Sequence, residues 1–189
     1  FQRAPNAPDA WTLRQTIAGA QTSTVNVEFG WSVAVNDGRL VVGAPSTTVG
    51  AVANAGRVFL YERETSTNDF AYSLYIDRIS EPDRRFGYSV AIDGERLLVG
   101  APERASAPHL GGMFLFDNVN GQWRQIAKIT RPSSSIAQLY GRAVAMRHGH
   151  ALVGAPAGPA TTDPGYAYLY RFDYTSMPVV PPSTPRQSW

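Results

Sequence analysis

The sequence predicts an all-β protein in which one four-stranded unit occurs three times. A short motif recurs at near-constant spacing, apolar residues alternate at period two around each copy, and no segment shows sustained helical periodicity. In each copy, an aromatic residue followed by Gly lies at the same distance along the chain from the Gly of a Gly-Ala-Pro sequence. The motif residues, which we interpret as structural, are Phe29, Gly30, Gly43, Pro45, Phe86, Gly87, Gly100, Pro102, Tyr140, Gly141, Gly154 and Pro156.

Each unit begins with a predicted β-hairpin. In the first copy, residues 32–35 alternate small and larger apolar side chains, which is typical of a strand. Asn36-Asp37-Gly38 follows and favours a tight turn, because these residues tolerate positive φ. An apolar run then leads into Gly-Ala-Pro, where the proline ends the strand because it has no N–H. The constant spacing between the aromatic residue and this Gly predicts the same register in all three hairpins.

Two further strands complete each unit. A variable loop follows each hairpin, at 46–55, 103–111 and 157–164, and a Gly-led third strand comes after it, at 56–61, 112–116 and 165–170. A fourth strand, led by an aromatic residue, is predicted at 11–17, 70–79 and 123–129. We expect its aromatic residues Trp11, Phe70 and Trp123 to fill space between sheets. Four short antiparallel strands in each unit are the layout of a β-propeller blade.

The strand count predicts three blades in an incomplete ring. The units span 29–79, 86–129 and 140–171, and the third lacks its outer strand, whereas 11–17 is an outer strand without a unit. We therefore expect 11–17 to close the last blade, after an N-terminal extension over 1–10. Because propellers have typically 4–8 blades, we expect a second copy, another chain or further sequence to complete the ring. Residues 172–189 form a Pro-rich tail, read either as an extended docking segment or linker, or as a disordered end.

Composition excludes several classes of function. The net charge is +2, and the basic residues are scattered, so nucleic acid is not expected as a partner. The chain has no Cys, which excludes disulfides and thiolate chemistry. No apolar run is long enough for a membrane span. A weak basic cluster, Arg84-Arg85 and Arg104, lies beside the acids Glu81, Asp83 and Glu103, which predicts a solvated ion-paired surface.

The motif resembles the FG-GAP repeat. Phe-Gly-x-Ser-Val-Ala, Val-Gly-Ala-Pro, Gly-x-x-x-Leu-(Tyr/Phe) and a Trp with Ile six residues later carry this resemblance, which covers 11–171. The third copy departs from it at Tyr140 and Ala143. FG-GAP repeats build the β-propeller of integrin α-chains and of many secreted or surface proteins of bacteria and algae. The resemblance implies a propeller at an extracellular or cell-surface location, with a role in adhesion rather than catalysis.

A calcium role does not carry over from this family. In integrin-type repeats the hairpin turn is often an Asp-rich calcium loop, and calcium takes 6–8 oxygen ligands. The three turns here, 36–39, 93–96 and 147–150, supply at most two carboxylates each, and the third supplies none. We therefore predict no metal and no other cofactor. His148 and His150 could share a metal at this i, i+2 spacing, but a solvent-exposed turn is the favoured interpretation.

Four residues are candidates for contact with a ligand. Trp31, Tyr88 and Arg142 follow the first motif glycine of each unit, and His109 lies in the second variable loop. Trp31 and Tyr88 could stack on sugar faces, although Arg142 breaks the aromatic set.

No catalytic signature accompanies these residues. The sequence has no nucleophile elbow, and the repeated serines Ser32 and Ser89 are replaced by Ala143 in the third unit, so we interpret them as structural and predict that the protein is not an enzyme.

Three functions remain open at this point. The favoured one is a non-enzymatic extracellular or cell-surface module that binds a protein partner through the variable loops, because divergent loops on a repeated scaffold are typical of a binding face. The first alternative is a carbohydrate-binding propeller with a glycan ligand. The second alternative is a structural subunit of an extracellular assembly, joined through its unsatisfied end blades.

Overall fold

The computed structural model describes residues 2–3, 11–19, 27–36, 38–77, 85–102, 111–130, 139–157 and 164–172. These residues contain β-strands and turns and no helix, and thus no helix that could cross a membrane. The strands are β1 Gln2–Arg3, β2 Trp11–Thr12, β3 Ser32–Asn36, β4 Arg39–Ala44, β5 Arg57–Arg63, β6 Phe70–Asp77, β7 Ser89–Asp93, β8 Arg96–Ala101, β9 Gly112–Val119, β10 Gln122–Ile129, β11 Ala143–Arg147, β12 His150–Ala155 and β13 Tyr166–Arg171. The predicted all-β class is confirmed.

Three antiparallel sheets correspond to the three predicted units. The first sheet has the order β3-β4-β5-β6, the second β7-β8-β9-β10 and the third β11-β12-β13, and a separate ribbon pairs β1 with β2. The predicted common register is also present, since Ser32, Ser89 and Ala143 each lie opposite the Gly of Gly-Ala-Pro in their own sheet. Among the described strands, the third sheet is one strand short of the other two.

The sheets pack side by side around two apolar clusters. Val41 and Leu60 of the first sheet pack against Phe86, Leu97 and Phe114 of the second. The other face of the second sheet, with Leu98 and Leu115, packs against the third sheet through Tyr140, Val153 and the residue that follows β13, Phe172. Trp123 fills space between the first two sheets and is 3% exposed, as predicted. The middle sheet is therefore covered on both faces.

Close backbone contact between sheets depends on several glycines, two of which, Gly43 and Gly100, are equivalent motif residues. A Cβ on Gly43 would overlap the backbone oxygen of Gly87, and a Cβ on Gly100 would overlap that of Gly141. Gly154 holds the equivalent place in the third sheet, and a Cβ there would come no closer than 3.3 Å to any atom, at Ala143. The crowding thus occurs where a following sheet is present.

The segment 11–17 differs from the prediction. Within it, Trp11–Thr12 forms a strand and pairs with Gln2–Arg3, whereas 13–17 forms no strand in the single chain. Beyond it, the Gln15 side chain exchanges two hydrogen bonds with the backbone of Phe70 (2.8 and 2.9 Å). Ile17 joins a third apolar cluster on the outer face of the first sheet. The segment lies against the first sheet, and its closure of the last blade stays a prediction, as does the form of the tail 173–189, which lies outside the described residues.

Candidate functional site

Three of the four predicted ligand-facing residues lie together. The ring of Trp31 is 5.2 Å from that of Tyr88, and the guanidinium of Arg142 lies 5.6 Å from the Tyr88 ring centroid. Trp31 is 49% exposed, Arg142 is exposed and Tyr88 is half-buried. Because the three sheets pack side by side, their equivalent positions form a continuous row. His109 lies outside the described residues.

One backbone turn, repeated three times, holds these side chains. The N–H groups of Trp31, Tyr88 and Arg142 donate to the backbone oxygen three residues earlier, at 3.1, 3.0 and 3.1 Å. The third residue of each turn is the first motif glycine, and its φ is between +86° and +88° in all three units. A turn of this shape strongly favours Gly, since side chains rarely tolerate that region. The motif glycine therefore fixes where the neighbouring side chain emerges.

Arg85 adds a second cation beneath the row. Its guanidinium lies 5.1 Å from the Tyr88 centroid and 5.6 Å from the Trp31 centroid. It also forms a 2.8 Å ion pair with Glu28, whose carboxylate accepts a 2.6 Å hydrogen bond from Ser46. We call Trp31, Tyr88, Arg85 and Arg142 the aromatic strip. Within it, Glu28 compensates the charge of Arg85, whereas no carboxylate of the described residues lies within ion-pair distance of Arg142.

The first variable loop borders the aromatic strip. Residues 46–55 contain a small antiparallel bridge between Val49 and Val52, with both hydrogen bonds at 3.0 Å. The backbone oxygen of Asn54 accepts a 2.8 Å hydrogen bond from the N–H of Arg85, which ties the loop to the strip. Most of 103–111 and 157–164 lies outside the described residues. That all three loops share one rim stays a prediction.

At the opposite end of the sheets, the turn residues link one sheet to the next. Asp93 accepts a 2.6 Å hydrogen bond from the N–H of His148, and Asn36 accepts a weaker one of 3.4 Å from Gly94. Arg39 forms a 2.7 Å ion pair with Glu95 of the second sheet. In the described ranges, no three His, Cys, Asp or Glu side chains are grouped as metal ligands. The polar groups of these turns thus serve contacts between sheets.

Sequence reasoning missed the partner of Arg85. It expected an ion-paired surface with the neighbouring acids Glu81 and Asp83, which lie outside the described residues; among the described carboxylates, Arg85 contacts Glu28, the residue just before the first unit. The repeat itself could have indicated this pair. Glu28 and Arg85 hold equivalent places, each immediately before the motif aromatic residue of its unit, and equivalent places of neighbouring units lie side by side.

The fold and the strip define the class as an all-β repeat protein with an exposed row of equivalent side chains. Comparison with protein families identifies the second of the three units. The family model of the FG-GAP repeat matches residues 80–116, which span the second hairpin and the start of the next strand. This match confirms that the chain contains an FG-GAP repeat. No curated protein matches the chain.

Proposed function

We propose that this protein is a non-enzymatic β-propeller module that binds a protein partner through the aromatic strip and the adjoining loop 46–55. The observation that carries the proposal is the alignment of Trp31, Tyr88 and Arg142 in one exposed row, each held by the same backbone turn. Trp, Tyr and Arg are the residue types most enriched at the energetic centres of protein interfaces. The common backbone turn fixes where each of these side chains emerges before binding, which limits the backbone entropy that recognition would cost.

The repeated hydroxyls support a non-catalytic role. Ser32 donates to the backbone oxygen of Gly87, and Ser89 donates to that of Gly141, each at 2.8 Å. Both hydroxyls therefore act in contacts between sheets. FG-GAP repeats occur in extracellular and cell-surface proteins, and this supports the same location for the module.

Peptide display tests the proposal directly. A random peptide library panned against the immobilised 189-residue chain is expected to yield binders that Trp31→Ala and Arg142→Ala weaken by about 30-fold or more, as loss of an interface hot spot does. Val119→Ala is the matched control, because Val119 is 47% exposed and lies at the far end of β9. Peptides that bind the Trp31→Ala variant as well as the native chain, or a failure to enrich any, would contradict the proposal.

A carbohydrate ligand is the second candidate. The observation that favours it is the half-exposed indole of Trp31 beside the tilted ring of Tyr88, because sugars stack on such aromatic faces. A glycan array separates the two candidates. Sugar binding that Trp31→Ala abolishes supports the carbohydrate-binding function, whereas a silent array together with strip-dependent peptide binding supports the protein partner.

A further inference from the structure

The third sheet exposes positions that the other two sheets bury. Leu152 is 46% exposed and Leu169 is 70% exposed. Their equivalents in the second sheet, Leu98 and Leu115, are both 0% exposed because they pack against the third sheet. The strand registers establish the equivalence, since Leu152 pairs with Leu169 as Leu98 pairs with Leu115. The third sheet therefore carries a surface built to pack against a following sheet.

The first sheet exposes the opposite surface. Val33 is 66% and Val35 is 65% exposed. Their equivalents, Val90 and Ile92, are 8% and 6% exposed because they pack against the first sheet. Inside the chain, a face like that of Leu98 and Leu115 packs against a face like that of Val90 and Ile92 at each boundary between sheets. One face of each kind is exposed, the first kind on the third sheet and the second kind on the first sheet. Exposed apolar faces of this kind mark interaction surfaces.

The segment 13–17, which follows β2, lies against the first sheet in the position that an outer strand of a preceding sheet would take. Ile17 shares the cluster on the outer face of the first sheet with Phe29, the motif aromatic residue of the first unit. In the other units, an isoleucine at the end of the outer strand shares a cluster with the motif aromatic residue that follows it. These pairs are Ile76 with Phe86 and Ile129 with Tyr140. The segment therefore lies where the outer strand of a preceding sheet would lie.

We propose that a second copy of the chain docks head to tail on the first, with its third sheet against the exposed face of the first sheet. The segment 11–17 then becomes the missing fourth strand of that third sheet, paired with β13. This is addition of a strand to a sheet edge. Ile17 is equivalent to Ile129, since each lies six residues after the Trp of its segment. Ile129 pairs with Met113, and the residue of the third sheet equivalent to Met113 is Ala167. Ile17 is therefore expected opposite Ala167 of the second copy.

Two observations favour a second copy over an unrelated protein. Among the described residues, one chain holds both a sheet that lacks its outer strand and a segment placed like an outer strand without a sheet, so each fits the other. The two exposed end faces are also equivalent to the two faces that pack against each other between successive sheets of the chain.

The geometry of this contact determines the assembly. The docked faces differ, so the contact is heterologous and each copy can make it twice, once at each end. Two copies related by a two-fold axis would form a closed ring of six four-stranded sheets, within the range of known propellers. The residues that the contact pairs, Ile17 and Ala167, lie outside the aromatic strip, and failure of the contact would leave the proposed recognition function standing.

Disulfide cross-linking tests the contact, because the chain contains no Cys. The double variant Ile17→Cys/Ala167→Cys, oxidised after purification, is expected to run as a reducible covalent dimer. Each single variant and the control pair Ile17→Cys/Val119→Cys are expected to run as single chains on a denaturing, non-reducing gel. A circular dichroism spectrum matching that of the native chain establishes that each variant is folded. An intrachain disulfide in the double variant, equal dimer formation by the single variants, or no covalent dimer would overturn the proposal.

Discussion

The hydroxyl of Ser89 donates a 2.8 Å hydrogen bond to the backbone oxygen of Gly141 across the boundary between the second and third sheets. Ser89 is 8% exposed, so its replacement leaves a buried acceptor without its donor. We expect Ser89→Ala to lower the free energy of unfolding by about 1–2 kcal/mol in urea titrations. The control Ser73→Ala, on an exposed position of β6, should change it by less than about 0.5 kcal/mol. Equal effects of the two variants would refute the structural role of this hydroxyl.

Gly100 and Gly154 occupy equivalent positions but differ in their surroundings. A Cβ at Gly100 overlaps two atoms, the backbone oxygen of Gly141 and the Oγ of Ser89, whereas at Gly154 its nearest neighbour is 3.3 Å away. Gly100→Ala should therefore separate the second and third sheets and cost about 2 kcal/mol or more of stability. Gly154→Ala should retain a native-like melting temperature when both glycine variants are made in the Leu169→Glu background, whose altered end face is expected to keep the chain a single copy. A Gly100→Ala variant as stable as Gly154→Ala would show that the sheets do not approach as described.

The hairpins could be predicted from sequence because their determinants are local. Period-two alternation, a turn sequence and a strand-ending proline all act within a single hairpin, and the repeat spacing added the register. The segment 11–17 was predicted as one strand because its residues suit a strand. Strand formation also needs a neighbouring strand, however, and the described part of this chain offers one only to Trp11–Thr12.

Contacts between units were harder to predict than contacts within them. Sequence reasoning regarded Arg142 as a break in the aromatic set, but its guanidinium lies over Tyr88 and extends the strip. It also considered only acids close in sequence beside Arg85, and missed Glu28, which the packing of successive sheets brings to Arg85. Such contacts join residues about one repeat apart, and only the placement of one sheet beside the next reveals them.

The Glu28–Arg85 ion pair positions the strip. The Arg85 side chain is 13% exposed and that of Glu28 is 25% exposed, so removing the carboxylate leaves a poorly solvated cation. We expect Glu28→Gln to lower the free energy of unfolding by about 1–3 kcal/mol, measured in urea at low salt. Glu62→Gln is the control. Glu62 is 55% exposed and 3.7 Å from Arg39, so its loss should cost less than about 1 kcal/mol. The reverse ranking would contradict the described burial.

Tyr140 should make the stability depend on alkaline pH. Burial, followed by the hydrogen bond that joins its hydroxyl to that of Tyr170 at 2.8 Å, raises the pKa of Tyr140 far above its usual value of 10.0. The folded state therefore keeps the proton that the unfolded state releases above about pH 10. The stabilisation is full below that pH and is lost as the pH rises further. Thermal melts from pH 8 to 11.5 should show this loss, and Tyr140→Phe should make it shallower. An unchanged slope in the variant would assign the loss to other groups.

The mass of the native chain in solution tests the central claim that its three sheets form an incomplete ring. Sedimentation equilibrium at micromolar concentration should give twice the 20.5 kDa of one chain. Leu169→Glu and Val33→Glu, which alter exposed residues of the two end faces, should each give a folded single chain, and the control Val119→Glu should keep the doubled mass. A native chain that sediments at 20.5 kDa, or a doubled mass that survives both face variants, would contradict the account.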